Sequence, residues 1–120
     1  MADEPDIVSF RNTVEPQHSQ PDASRIVKGM PQLCAWNHFS DPSQQFFAGV
    51  WAATRGSWRI HYTETEFCHL LAGRVALTSQ AGTRWEFTSG DSFVVPAGFS
   101  GTWEVLEDCR KVYAIFEPRG

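Results

Sequence analysis

The stretch Gly90-Asp91-Ser92-Phe93-Val94-Val95-Pro96-Ala97-Gly98 decides how this chain folds. It reads as a turn, a short strand and a second turn. Gly90 and Gly98 allow backbone conformations that a side chain would penalise. Asp91 is placed to cap the first turn with its carboxylate. Pro96 has no N–H to give a ladder, so the strand ends there. On either side the same alternation repeats. The runs are Leu33–Phe39, Phe46–Thr54, Ser57–Thr63, Glu66–Ala72, Arg74–Ser79, Thr83–Thr88, Ser92–Pro96, Gly101–Leu106 and Lys111–Glu117. Each is rich in β-branched and aromatic residues. Turns are expected at Asp41-Pro42-Ser43, Gly56, Gly73, Ala81-Gly82, Ser89-Gly90-Asp91, Ala97-Gly98 and Glu107-Asp108. So many short strands between Gly/Pro punctuation imply an all-β sandwich or barrel.

A chain of 120 residues is the size of one domain. Residues 1–24, rich in proline and polar residues, read as an irregular N-terminal arm. Within it, Ile7-Val8-Ser9-Phe10 is a candidate edge strand. Residues 25–120 read as the barrel domain. Five tryptophans and nine phenylalanines point to an interior or cleft lined by rings. The net charge of −4, with no basic stripe, argues against a nucleic-acid partner. Cys34, Cys68 and Cys109 form no CxxC and are odd in number, which fits reduced thiols in a cytoplasmic protein. The acidic start lacks the apolar run of a secretory signal. No stretch approaches the roughly 20 apolar residues that span a bilayer, so no membrane partner is expected.

The pattern Gly90-x5-Pro96-x-Gly98 resembles the second motif of the cupins, and Glu66-x6-Gly73 resembles the end of their first. Over about Gly49 to Phe116 the chain is similar to small single-domain cupins related to those of ureidoglycine aminohydrolase and of ethanolamine-utilisation proteins. Further signatures are Trp58-Arg59, Gly101-Thr-Trp-Glu-Val105 and Arg110-Lys-Val-Tyr113. The resemblance implies a single jelly-roll-like antiparallel β-barrel. With the aromatic surplus, it also implies a homodimer.

Metal-binding cupins take ligands from both motifs. Carried onto this chain, the first-motif histidines fall on Arg59 and His61, the glutamate on Glu66, and the second-motif histidine on Gly101. An arginine offers no lone pair and stays cationic. His61 and Glu66 alone fall short of the three donors a divalent ion needs. His69 lies three residues after Glu66, so alternation sends it to the other face. No metal or other cofactor is therefore expected.

The same alignment turns Arg59 and His61 inward and leaves Trp58, Ile60 and Tyr62 against a partner subunit or the arm. Hydrophobicity alone would do the reverse. Glu66, inside a barrel, needs a partner or a proton. Arg59, Lys111 or both are candidates, and a structural ion pair is the alternative to a ligand anchor. Trp103 shares parity with Gly101 and either walls a cavity or packs as core. Lys111 and Tyr113 share an inward parity, although an exposed lysine at a strand start is the alternative.

These residues give the leading expectation: a metal-independent, small-molecule-binding cupin. Arg59, His61, Glu66, Trp103, Lys111 and Tyr113 would line its cavity, around a small anionic or carbonyl ligand. Two other expectations stand beside it. One is a metal-dependent enzyme of ureide or small-amide nitrogen metabolism, using His61, Glu66 and a further donor. The other is a non-catalytic dimeric accessory module. The sequence leaves catalysis open, because no nucleophile motif is present.

Overall fold

The computed structural model describes residues 4–119, so the first three residues of the arm lie outside it. Its strands are β1 (Gln17–Ser19), β2 (Ile26–Lys28), β3 (Leu33–Ser40), β4 (Phe46–Ala53), β5 (Gly56–His61), β6 (Thr65–Ser79), β7 (Arg84–Thr88), β8 (Ser92–Val95) and β9 (Ser100–Phe116). A 3-10 turn, Ala23–Arg25, precedes β2.

The long strands β6 and β9 pair antiparallel along their lengths and form the spine. The C-terminal half of β9 also pairs with β4, and its N-terminal half with β5. β8 joins the first half of β6 and β7 the second. The result is two sheets sharing bent strands, ordered β1-β3-β4-β9-β6-β8 and β2-β5-β9-β6-β7. They close over a core that includes Leu70, Val75, Leu77, Val95, Trp103 and Val105. This is the jelly-roll-like all-β barrel that the motifs imply.

Three expectations need correction. Gly73 and Glu107-Asp108 do not end strands. They are the corners at which β6 and β9 pass from one sheet to the other, and the register shifts there. Even-numbered residues of β6 face inward before the corner and odd-numbered ones after it. A bulge absorbs the change and increases the local bend. Gly73 takes a φ of 85°, and a Cβ there would overlap the Asp108 carbonyl oxygen and come within 2.7 Å of Cys109 Cα. The residue types that mark a turn also mark a corner. The arm is the third case. Ile7–Phe10 forms no strand, and Ile7 is 95% exposed. The edge strand falls instead on Gln17–Ser19, which pairs with β3.

The opening motif behaves as its residues require. The Thr88 N–H donates to Asp91 Oδ2 at 2.8 Å, and β8 stops at Val95. The Gly98 N–H donates to the Tyr62 carbonyl at 2.6 Å, and the Tyr62 N–H donates to that of Phe99 at 2.9 Å. The motif loop thereby fixes the end of β5. At the β3–β4 hairpin, Asp41 Oδ1 accepts the N–H groups of Gln45 and Phe46, each at 2.8 Å.

A Gly73→Ala substitution should be far more destructive than Gly90→Ala. Both glycines have positive φ, but nothing lies within 4 Å of a Cβ at Gly90. Urea denaturation should show Gly90→Ala costing about 1 kcal/mol, and Gly73→Ala roughly 3 kcal/mol or more because backbone must move.

Candidate functional site

The interior of the barrel carries a buried ion pair. Glu66 sits on β6 and Lys111 on β9, and the pairing of their strands sets Glu66 opposite Ile115 and Leu70 opposite Lys111. Glu66 Oε2 and Lys111 Nζ are 3.0 Å apart, with both side chains almost wholly buried. The other carboxylate oxygen accepts the Tyr62 hydroxyl at 2.7 Å. The ammonium lies 4.4 Å from the Trp51 ring centroid and 4.3 Å from that of Trp103. Cation–π contacts of this kind contribute about 1 kcal/mol each, more when desolvated. Trp51 in turn packs edge-on against Trp103 and tilted against Trp58.

Such a pair is stable only when geometry and extra partners offset desolvation. Burial is the largest single influence and works to lower the Lys111 pKa, but Glu66, Cys68 and Cys109 together outweigh it and hold the ammonium above its ordinary range. Burial, and then Glu66, pushes the Tyr62 phenol well above its usual value. The same two causes raise Tyr113. Cys68 is completely buried beside the pair, and burial pushes its thiol up to about 12. It is therefore no thiolate nucleophile at neutral pH.

A cavity of about 660 Å³ opens onto this cluster. Trp51, Trp58 and Trp103 wall it with Tyr62 and Tyr113, the arm supplies Gln17, Pro21 and Asp22, and Arg25 follows them. Tyr113 donates its hydroxyl to Asn37 Oδ1 at 2.8 Å. Gly49 leaves the space for that hydroxyl, since a Cβ there would lie 2.7 Å from it. The indole Nε1–H of Trp103 is buried with no hydrogen-bond partner among the described residues.

The structure brings together Glu66, Trp103, Lys111 and Tyr113. It places Arg59 and His61 differently from the expectation. Strand β5 turns Trp58 and Ile60 inward, with Trp58 opposite Trp103 and Ile60 opposite Gly101, and Tyr62, the residue after it, joins them in the cavity wall. Arg59 and His61 are exposed and reach the cavity where it opens. Arg59 donates to the Ser24 carbonyl, and His61 Nδ1 pairs with Ser100 Oγ. A shift of one residue exchanges the faces of a strand. The aromatic alternation of Trp58, Ile60 and Tyr62 was the better guide, and it would have found Tyr62 and Trp58. Trp51 had no comparable signal, because its strand is apolar on both faces.

The donor set does not fit a divalent metal. His61, exposed where the cavity opens, pairs with Ser100, while Glu66 is buried against Lys111 and Tyr62. No group of three His, Cys, Asp or Glu side chains among the described residues could hold an ion. Position 101 has no room for a ligand, because a Cβ at Gly101 would overlap the carbonyl oxygen of Thr78.

Residues 40–113 match the family model of the EutQ-like cupin domain. The chain belongs to that family. Among solved structures, this cupin resembles a DUF861-family protein of unknown function from Pseudomonas syringae pv. tomato, with 28% identity and a TM-score of 0.78. That match covers 90% of this chain and 46% of the other, so the cupin spans about half the length of that protein. A DUF861 protein from Thermotoga maritima is 31% identical over 53% of this chain and 73% of its own, with a TM-score of 0.52. The EutQ protein of Clostridium difficile shares the fold at 15% identity, with a TM-score of 0.65 over 72% of this chain and 64% of its own. No curated protein matches the cupin.

Lys111→Met should destabilise the protein by about 3–5 kcal/mol, because Glu66 is left buried and unpaired. The double variant Lys111→Met/Glu66→Gln should recover much of that loss in urea denaturation. Alkaline titration gives a second check. Cys68, held up at about 12, Cys109, pushed by burial to about 11, and Tyr62 and Lys111, both raised, keep their protons longer in the folded state than in the unfolded chain. The unfolded chain therefore binds fewer protons above about pH 9, and stability falls as pH rises. Thermal melts should drop steadily from pH 9 to 11, with a shallower slope in Cys68→Ala.

Proposed function

We propose that this cupin binds a small, carbonyl-bearing metabolite without a metal, in the cavity above the Glu66–Lys111 pair. The observation that carries the reading is a pair of donors with unspent N–H capacity, on two residues that line the cavity around an internally neutral ion pair. Lys111 has three N–H donors, of which Glu66 takes one. Trp103 has an unspent indole N–H. A ligand carbonyl oxygen would satisfy both kinds of donor, and the rings around it would exclude water. Glu66 already balances the Lys111 charge. The ligand therefore needs no formal negative charge, and this narrows the choice between an anion and a carbonyl. Arg59 and His61, at the opening, would meet its solvent-facing end. Three free cysteines fit a reducing, cytoplasmic setting. The hydrogen-bonded run Tyr62–Glu66–Lys111 is suited to holding or moving a proton beside the bound carbonyl.

Tryptophan fluorescence, titrated with a panel of small amides, ureides, carboxylates and amines, tests this. Neutral carbonyl compounds should quench or shift the emission, and Trp103→Phe, which keeps a ring but removes the N–H, should weaken that response about tenfold, as loss of one buried hydrogen bond implies. Stoichiometric Mn, Fe, Ni or Zn in protein purified without chelators would overturn the metal-free reading. A panel in which only carboxylates bind would overturn the neutral-carbonyl reading.

A further inference from the structure

A second cavity, of about 240 Å³, lies behind the ion pair on the outer face of the same sheet. Consecutive strand residues point to opposite faces. Lys111 of β9 therefore lines the inner cavity, and its neighbour Arg110 lines the outer one. The sheet also contributes Trp36, His38 and Val50, and the arm adds Phe10 and residues 12–14. The two cavities share no lining residue. No Asp or Glu lines the outer one, although the chain carries a net charge of −4.

Two nitrogen-bearing side chains of this wall have no partner. Arg110 forms no ion pair among the described residues, and its guanidinium lies over the Trp36 ring, 4.7 Å from the centroid. The carboxylate of Asp108, the acidic residue nearest to it along β9, accepts the Arg55 N–H at 3.0 Å instead. His38 Nδ1 is buried with no hydrogen-bond partner among the described residues, while Phe10 stacks on the imidazole with centroids 4.5 Å apart. A buried nitrogen left unpaired in a well-packed fold calls for an explanation, and a bound group is one. A guanidinium in the same wall, with no acid beside it, makes that group an anion.

We propose that the outer cavity binds a small carboxylate with a flat apolar body. Arg110 grips the carboxylate through two parallel N–H bonds, the bidentate match that a guanidinium makes. The Trp36 ring holds the guanidinium by a cation–π contact that uses none of those hydrogen bonds. His38, as its Nδ1–H tautomer, donates a third bond. Phe10, Val14, Trp36 and Val50 offer apolar surface to the rest of the ligand. Arm and sheet both line the cavity, so the ligand touches both. The inner cavity takes no part, and either proposal can fail without the other.

Proton–nitrogen correlation spectra titrated with sodium benzoate, and with benzamide as its uncharged isostere, test this at constant ionic strength. Millimolar benzoate should shift the amide signals of residues 10–14 and the Trp36 indole N–H along one saturable curve. Benzamide should bind at least tenfold more weakly. Arg110→Gln should weaken benzoate by about tenfold to a hundredfold, as loss of a charge-assisted bond implies. His38→Phe, which keeps a ring to stack on Phe10, should weaken it about fivefold, as loss of a neutral bond implies. Trp103→Phe, which alters only the inner cavity, should leave the benzoate curve unchanged. If Arg110→Gln fails to fold, Arg110→Lys decides, because it keeps the charge and loses the fork. Absence of a saturable shift at the arm and Trp36 overturns the proposal. So does equal affinity for benzamide, or a folded Arg110 variant that binds benzoate as the wild type does.

Discussion

A carboxylate and an ammonium held 3.0 Å apart inside a β-barrel constrain everything around them. Each alone would cost several kcal/mol to bury. Together they need further partners, and the fold supplies these from β4, β9 and the residue that follows β5. Tyr62 reaches Glu66 because the Pro96–Gly98 loop pins the end of β5 through two backbone hydrogen bonds. Trp51 and Trp103 cover the ammonium because β4 and β5 flank β9 along its two halves. The corners at Gly73 and Asp108 let a single strand contribute to both sheets, which brings Trp103 and Lys111 of β9 to one side chain cluster. The pair therefore reads out whether the whole barrel is correctly closed.

Much of this was legible in the sequence, for physical reasons that can be named. The glycines and proline of the opening motif specify turns that few other residues tolerate. Parity along Lys111, Tyr113 and Ile115 placed a lysine inward, and a lysine inside a barrel has to find a carboxylate. That made Glu66 its natural partner. Arg59, the other candidate partner, was misplaced because spacing between motif positions counts residues but does not know which face a strand presents. The alternation Trp58, Ile60, Tyr62 carried that information in its hydrophobicity. The corners were misread as turns because glycine and short acidic residues relieve crowding in both. The arm strand at Gln17–Ser19 had no signal, since a polar edge strand gains its hydrogen bonds from the neighbour and not from its own side chains.

The surface asymmetry follows from the same economy of residues. A jelly roll must keep the inner faces of both sheets apolar, and it is free to choose the outer ones. Here one outer face carries the ion pairs of Arg74, Arg84, Glu86, Glu104 and Glu107, and part of the other carries exposed Phe39, Phe46, Phe67, Val94 and Phe116. Chance scatter would mix the two. Segregation by sheet means that the two faces answer to different surroundings.

Gly101 leaves no room for the ligand that the second motif would supply in a metal-binding cupin. A histidine there would have to displace the backbone of Thr78, so restoring a ligand takes more than a side-chain change. Opposite it stands Ile60, and beside Ile60 the tyrosine that hydrogen-bonds Glu66. In the metal-binding relatives that the motifs resemble, the glutamate of the first motif faces a divalent cation. In this chain the same glutamate faces an ammonium, screened by two indole rings in place of imidazoles. The barrel keeps an internal cation matched to Glu66, but one with three directional N–H donors and no Lewis acidity. Such a centre can orient a carbonyl and hold a proton near it. An ammonium does not lower the pKa of a bound water as zinc does, so on the proposed metal-free reading this pair works through proton position and desolvation.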